Sequence, residues 1–178
     1  TPSQADALAD YLSARTGMSN AVCVLLECGD GTFATALSQR SGFLVHGLGT
    51  DASMVSAAVA RAEGAGLLGR RMYVELGDAG ALPHADNFVD VVLMVSGTDA
   101  GMAGVSASDI LRALRPGGTA IIGRASVQSG GSLSTAQLTS WLSAAGITNG
   151  EVTTDAHGVW AEFRKPVPAG MDEWTHRS

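Results

Sequence analysis

The sequence predicts an α/β fold: a doubly wound, mainly parallel sheet with helices on both faces and an antiparallel hairpin at its C-terminal end. Three observations predict it. Short apolar runs alternate with segments of helical spacing along the chain, the signature of successive βα units. The run Val89–Val95 is dominated by Val and Leu, as suits a central strand buried on both faces. Apolar residues make up 46% of the chain and charged residues only 16%, proportions that suit a sheet covered on both sides. The length allows one domain with a sizeable core.

Each element has a local reason. Gln4–Thr16 carries Ala and Leu at helical spacing. Val22–Leu26 reads as the first strand and Thr32–Gln39 as the helix after a glycine-rich turn. Gly42–Leu48 reads as the second strand. Asp51 is placed to N-cap the helix Ser53–Gly64, where Met54, Ala57, Ala58 and Ala62 share a face. Met72–Leu76 and Val89–Val95 supply the third and fourth strands. The helix Ser108–Leu114 is expected to stop at Arg115-Pro-Gly-Gly118, with Thr119–Gly123 as the fifth strand. Thr135–Ala145 makes a further helix closed by Gly146. Val152–Thr154 and Val159–Arg164, joined by Asp155-Ala-His-Gly158, read as the closing hairpin.

Charge and cysteine usage narrow the function classes. The net charge is −6, the only lysine is Lys165, and no Lys/Arg run occurs, so binding to nucleic acid through phosphates is not expected. The longest apolar runs fall far short of a membrane span. Cys23 and Cys28 sit within one strand and loop and lack the partner pair that a zinc site needs. They read as buried free thiols, and no metal site is expected. The chain begins at Thr1 rather than Met, which reads as an excised piece and leaves targeting and compartment open.

The stretch Val22–Phe33 is the most informative. An apolar strand ends in Glu27, then Cys28-Gly29-Asp30-Gly31 forms a glycine-rich turn, then a helix opens. Glycines there let backbone N–H groups approach a ligand, and the helix N-terminus adds a positive field. A carboxylate at the strand tip can take hydrogen bonds from a cationic or hydroxylated ligand. In a doubly wound sheet, Gly29–Thr32, Gly49–Asp51, Gly77–Ala79 and Ser96–Asp99 all follow strands, and the loops should meet on one rim.

With these residues in hand, the chain resembles a class I S-adenosylmethionine-dependent methyltransferase domain over nearly its whole length. Three ordered segments carry the resemblance. Glu27-Cys-Gly29-Asp-Gly31 is similar to the family's first motif, with the acid ahead of the glycines. Gly77-Asp78-Ala79-Gly80-Ala81-Leu82-Pro83, followed by Asp86-Asn-Phe-Val-Asp90, is similar to the approach to the fourth strand. Arg112-Ala-Leu-Arg-Pro116-Gly117-Gly118 is similar to the turn before the fifth. The resemblance implies a Rossmann-like sheet of about seven strands and S-adenosylmethionine as small-molecule cofactor. It implies that Gly29 and Gly31 lie against the methionine part and that Glu27 helps hold the amino group. Asp78 would accept from the adenine amino group, the Ala79 N–H would meet a ring nitrogen, and Leu48 and Leu82 would bracket the ring. Leu44–Asp51 and Asp172-Glu-Trp-Thr-His176 further resemble planctomycete-type proteins in which such a domain precedes a β-propeller of pyrroloquinoline-quinone-type repeats. That likeness implies a domain over residues 1–165, a linker or tail over 166–178, and a propeller partner within a longer protein.

The chain departs from the pattern in two places. Where a third glycine is usual stands Phe33, and where an acid usually takes the ribose hydroxyls at the second strand's end stands Gly49. Asp51 lies two residues on, and helix capping is its simpler role. Losing a charged acceptor for a hydroxyl costs about 1.5–3 kcal/mol, or roughly 10- to 150-fold in affinity. Candidate bases are Asp99, His84 and His46, and no motif names a methyl acceptor. Three readings stay open: an active methyltransferase, a methyltransferase-like binding or scaffold domain without turnover, and a nicotinamide dinucleotide domain. The last fits Gly29-x-Gly31-x-x-Ala34 but leaves Gly77–Pro83 unexplained.

Overall fold

The computed structural model describes residues 3–168. Its strands are β1 (Val22–Leu25), β2 (Leu44–Gly49), β3 (Met72–Leu76), β4 (Val89–Met94), β5 (Leu114–Ala125), β6 (Glu151–Asp155) and β7 (Gly158–Arg164). Its helices are α1 (Gln4–Thr16), α2 (Thr32–Arg40), α3 (Ala52–Gly64), α4 (Ala107–Ala113) and α5 (Thr135–Ala144), with a 3₁₀ turn at Gly101–Gly104. One seven-stranded sheet runs in the order β3-β2-β1-β4-β5-β7-β6. The first five strands are mutually parallel, whereas β7 pairs antiparallel with both β5 and β6. The order reverses between β1 and β4, which opens a crevice beyond their carboxyl ends.

Side chains alternate between two cores, one on each face of the sheet. Val24, Val92, Met94 and Ile122 face a core with Ile110, Leu138 and Trp141 from α4 and α5. Cys23, Leu25, Val91, Leu93 and Ile121 face the other, with Leu8, Leu12 and Leu37 from α1 and α2. Both cysteines are free and buried.

Helix ends follow their local chemistry. The Ser3 hydroxyl accepts from Asp6 N–H while the Asp6 carboxylate accepts from Ser3 N–H, a reciprocal cap for α1. Asp51 caps α3 as expected, accepting from Ser53 and Met54 N–H. The hairpin also pairs as expected, with Gly123 opposite Trp160 and Val152 opposite Ala161. In its turn, Asp155 Oδ1 accepts from His157 N–H at 2.8 Å and Gly158 N–H at 3.1 Å.

The fifth strand differs from expectation. Arg115–Gly118 does not separate α4 from the strand but bulges within it: Leu114 pairs with Val89 and Thr119 with Val91. Gly117 N–H donates to Lys165 O and Lys165 N–H to Gly118 O, so the chain after β7 satisfies the bulge. Residues 166–168 follow β7 without regular structure. The remainder of the expected tail, including Trp174, lies outside the described residues.

The hairpin anchors α1 over the crevice. Arg15 Nε donates to Glu162 at 2.7 Å, the Tyr11 hydroxyl donates to Asp155, and the Tyr11 ring stacks on His157 at 3.9 Å between centroids. The first turn of α1 is thereby held above the strand ends.

Candidate functional site

A cavity of about 660 Å³ opens beyond β1, β2, β4 and β5. Its walls are the turn Glu27–Gly29, the segment Gly49–Asp51, the loop Val95–Thr98 and the segment from Arg124 through Gly130, with Gln4, Ala5 and Leu8 of α1 at one side. Of the predicted site residues, Glu27, Gly29, Gly49 and Asp51 meet here.

The turn after β1 places three alternate residues in the left-handed region: Glu27 at φ 51°, Gly29 at φ 59° and Gly31 at φ 85°. Phe33 instead lies inside α2 and is buried. The positions that suit glycine are therefore 27, 29 and 31 rather than 29, 31 and 33, and Glu27 occupies one of them at a cost of about 1–2 kcal/mol. Desolvation first, and the Asp78 carboxylate second, push the Glu27 carboxyl above its ordinary value. Gly29 faces open space and its N–H donates to no described group. Gly31 does different work from that expected. A Cβ there would lie 2.9 Å from Ala58, so this glycine lets α2 and α3 approach rather than a ligand.

The end of β2 is shaped by Cys28. A Cβ at Gly47 would meet the Cys28 side chain at 3.1 Å, and one at Gly49 would lie 3.6 Å from its Sγ and 3.1 Å from Val55. The thiol thus fills the space that these glycines leave. Asp51 Oδ1 accepts from Ser53 N–H at 2.9 Å, Ser53 Oγ at 2.6 Å and Met54 N–H at 3.3 Å, which hold the carboxyl below its ordinary value. Its Oδ2 takes no hydrogen bond among the described residues, and Asp51 lines the crevice.

The segment after β3 is displaced from its expected part. Asp78 is exposed, its Oδ1 accepts from Gly80 N–H at 2.8 Å, and it does not line the cavity. Leu48, Ala79 and Leu82 belong to the core cluster, at 1%, 7% and 6% exposure, and do not line the cavity. Arg112 and Asp109 hold this segment: Arg112 Nη2 donates to Leu82 O at 3.0 Å, and Leu82 N–H donates to Asp109 at 2.6 Å.

None of the candidate bases reaches the cavity. Asp99 accepts from Ser134 N–H and Oγ and so supports the N-terminus of α5. His46 and His84 bond to each other beside β3. The residue that sequence reasoning missed is Arg124, a buried guanidinium at the end of β5 that lines the cavity. Its signal was present: it is the sole charge in the apolar run Thr119–Ala125. Among the described residues no group of three or more His, Cys, Asp or Glu side chains could hold a metal ion, and no helix is long and apolar enough to cross a membrane.

Comparison with known proteins decides the family. Residues 25–118, more than half of the chain, match the family described as a methyltransferase domain. The chain belongs to that family. The matched span runs from the end of β1 through the bulge of β5 and so contains the crevice's glycine turn. No match was found among curated protein sequences. The methyltransferase domain is similar in structure to a protein of Methanococcus maripaludis assigned as an S-adenosyl-L-methionine-dependent methyltransferase, with TM-score 0.78, 18% identity and coverage of 93% of this chain and 86% of that one. It is also similar to a SAM-dependent methyltransferase of Aquifex aeolicus, with TM-score 0.70, 19% identity and coverage of 91% and 93%. A third likeness, TM-score 0.66 at 15% identity over 83% of this chain and 62% of that one, is to geranyl diphosphate C-methyltransferase of Streptomyces coelicolor, solved with S-adenosyl-L-homocysteine. At these identities the likeness is one of fold.

Proposed function

We propose that this methyltransferase domain binds S-adenosylmethionine in the crevice, its methionine end over Gly29 and its ribose toward Gly49 and Asp51. One observation carries the reading: at the switch point of the sheet, Gly29, whose N–H has no partner among the described residues and whose missing side chain leaves open space, lines the same cavity as Asp51, which has a carboxylate oxygen without a hydrogen bond there. The group's polar atoms fit such donors and acceptors. The Gly29 N–H suits the carboxylate, Glu27 suits the amino group, and Asp51 Oδ2 suits a ribose hydroxyl. When bound, the cofactor supplies an electrophilic methyl on sulfur. The chain's own part is to hold that end against Gly29, where a side chain would clash, and to screen it from water beneath α1. Because Asp51 also caps α3 and Gly49 carries no acid, binding is weaker than a dedicated ribose carboxylate would give.

Asp78, whose carboxylate is close enough to act on Glu27, and the Ala79 N–H are the groups of this segment left for the adenine side of this reading, whereas Leu48 and Leu82 are committed to the core. A second reading, a domain that binds the cofactor without turnover, is favoured by the placement of Asp99, His46 and His84 outside the crevice. A nicotinamide dinucleotide remains the least supported ligand, since its fingerprint wants an acid where Gly49 stands. The proposal extends to context: residues 166–178 lead from this domain toward a β-propeller in a longer protein, as the sequence resemblance implies.

Thermal melting with added S-adenosylhomocysteine and, separately, NADH tests the ligand class. A melting temperature raised by the first alone supports the proposal. A rise with NADH alone would assign the crevice to a dinucleotide.

A further inference from the structure

The crevice is divided by charge. Glu27, Asp30 and Asp51 line the side beyond β1 and β2, and Arg124 is the single cation lining it among the described residues. Arg124 is 8% exposed and sits opposite Ser96 in an isolated antiparallel bridge. Its Nη1 donates to Gly97 O at 3.1 Å and its Nη2 to Ser129 O at 3.0 Å. No carboxylate lies within ion-pair distance of it among the described residues, although nine ion pairs occur elsewhere.

A guanidinium withdrawn from water without a counter-charge is costly, and two neutral carbonyls compensate it only in part. Of its five N–H groups, two go to those carbonyls, which leaves three to donate to a carboxylate or phosphate. Thr98 and Gln128 line the same cavity with side chains able to donate, while the Ser96 hydroxyl donates to Glu27 O at 3.4 Å. Gly131 packs beside the guanidinium: a Cβ there would stand 3.0 Å from Thr98 Cγ2 and 3.5 Å from Nη1. The two carbonyl bonds also hold the guanidinium in place before any ligand arrives.

We propose that the β4–β5 half of the crevice takes a methyl acceptor bearing a carboxylate or phosphate group, with Arg124 as the residue that binds that group. The inference rests on the reading of the β1–β2 half as the cofactor side. The division suits that pairing: the acidic half faces the cofactor's sulfonium and amino group, and the basic group faces an anionic partner. The two lie in one cavity, so the anion anchors the acceptor beside the methyl donor.

The full chain is titrated with inorganic phosphate and, separately, acetate at constant ionic strength, with and without S-adenosylhomocysteine. Amide resonances of Gly97, Ser129 and Gly131 report binding. The proposal expects saturable shifts whose affinity falls about tenfold or more in Arg124→Gln. It expects the S-adenosylhomocysteine affinity of that variant to stay within about twofold, less than one lost charge-assisted bond would cost. Should Arg124→Gln fail to fold for want of its carbonyl tethers, Ser96→Asp decides. That variant keeps the guanidinium and its bonds but sets a carboxylate on the cross-strand position, so it should abolish anion binding. Equal losses of anion and S-adenosylhomocysteine affinity in Arg124→Gln would overturn the proposal by assigning Arg124 to the cofactor's own carboxylate. Anion shifts unchanged in both variants would overturn it as well. If Arg124-dependent anion binding persists while S-adenosylhomocysteine does not bind, the cofactor reading fails and the anion site stands.

Discussion

His46 Nδ1 and His84 Nε2 lie 2.6 Å apart, with the two rings edge to face at 72°. His46 turns its other nitrogen to Glu75 at 2.9 Å, while His84 Nδ1 is buried without a partner. One proton fits between the two rings, since two imidazolium ions would set N–H against N–H. Burial, then the neighbouring His46, lowers the His84 pKa, with Arg112 acting in the same sense and Glu75 and Asp109 against it.

The lowered His84 pKa sets the sign of a pH dependence in stability. A folded-state pKa below the unfolded value means that the unfolded chain binds more protons, so stability falls as pH drops from about 6.5 toward the folded value. The melting temperature should decline across that window, and His84→Gln, which cannot titrate, should flatten the profile. Identical profiles for the two proteins would remove the pair as the cause.

Gly49→Asp should restore the missing ribose acceptor. Gly49 does not need a left-handed backbone, and its added Cβ would press on Val55 at 3.1 Å, a contact that a small side-chain shift relieves. The variant should bind S-adenosylhomocysteine about 1.5–3 kcal/mol more tightly. Unchanged affinity in a stably folded variant, read from melting without ligand, would mean that Asp51 already does this work.

Asp51 caps α3 and, on the proposed reading, also accepts from the ribose; two substitutions separate these roles. Asp51→Ala should lose about 1 kcal/mol of stability with the cap, and cofactor affinity with it. Asp51→Asn should keep the cap and the melting temperature but still weaken cofactor binding. Denaturant unfolding and calorimetry on both variants check the separation.

Glycine substitutions should have opposite signs at two positions. Gly31→Ala forces a Cβ to 2.9 Å from Ala58 at φ 85°, and should cost about 1–3 kcal/mol. Gly64 ends α3 with open space around its missing side chain, so Gly64→Ala should stabilise by up to about 1 kcal/mol. Urea midpoints would show whether the signs differ.

Strand and helix order were readable because each core face repeats with period two in strands and at helical spacing in helices. Val89–Val95 and Gln4–Thr16 are the plainest cases. What the residues hid was local geometry. Arg115–Gly118 carries turn residues, yet Lys165 satisfies its backbone and keeps it in β5. Gly31 reads as a ligand-facing glycine, but only the position of Ala58 reveals that it serves helix packing. Leu48 and Leu82 have the size to hold an aromatic ring, and tertiary packing spends them on the core instead. Arg124 could not be placed in the crevice until the register of β5 beside β4 and β7 brought it there.

On the proposed reading the crevice holds S-adenosylmethionine over Gly29. Calorimetric titration of S-adenosylhomocysteine into the natural chain and into Gly29→Val tests it most directly. The φ of 59° will cost the variant some stability, so its fold is first checked by near-ultraviolet circular dichroism. Weak, saturable one-to-one binding to the natural chain and none to the folded variant are expected. Absence of binding to the natural chain, or equal affinity in both, would contradict it.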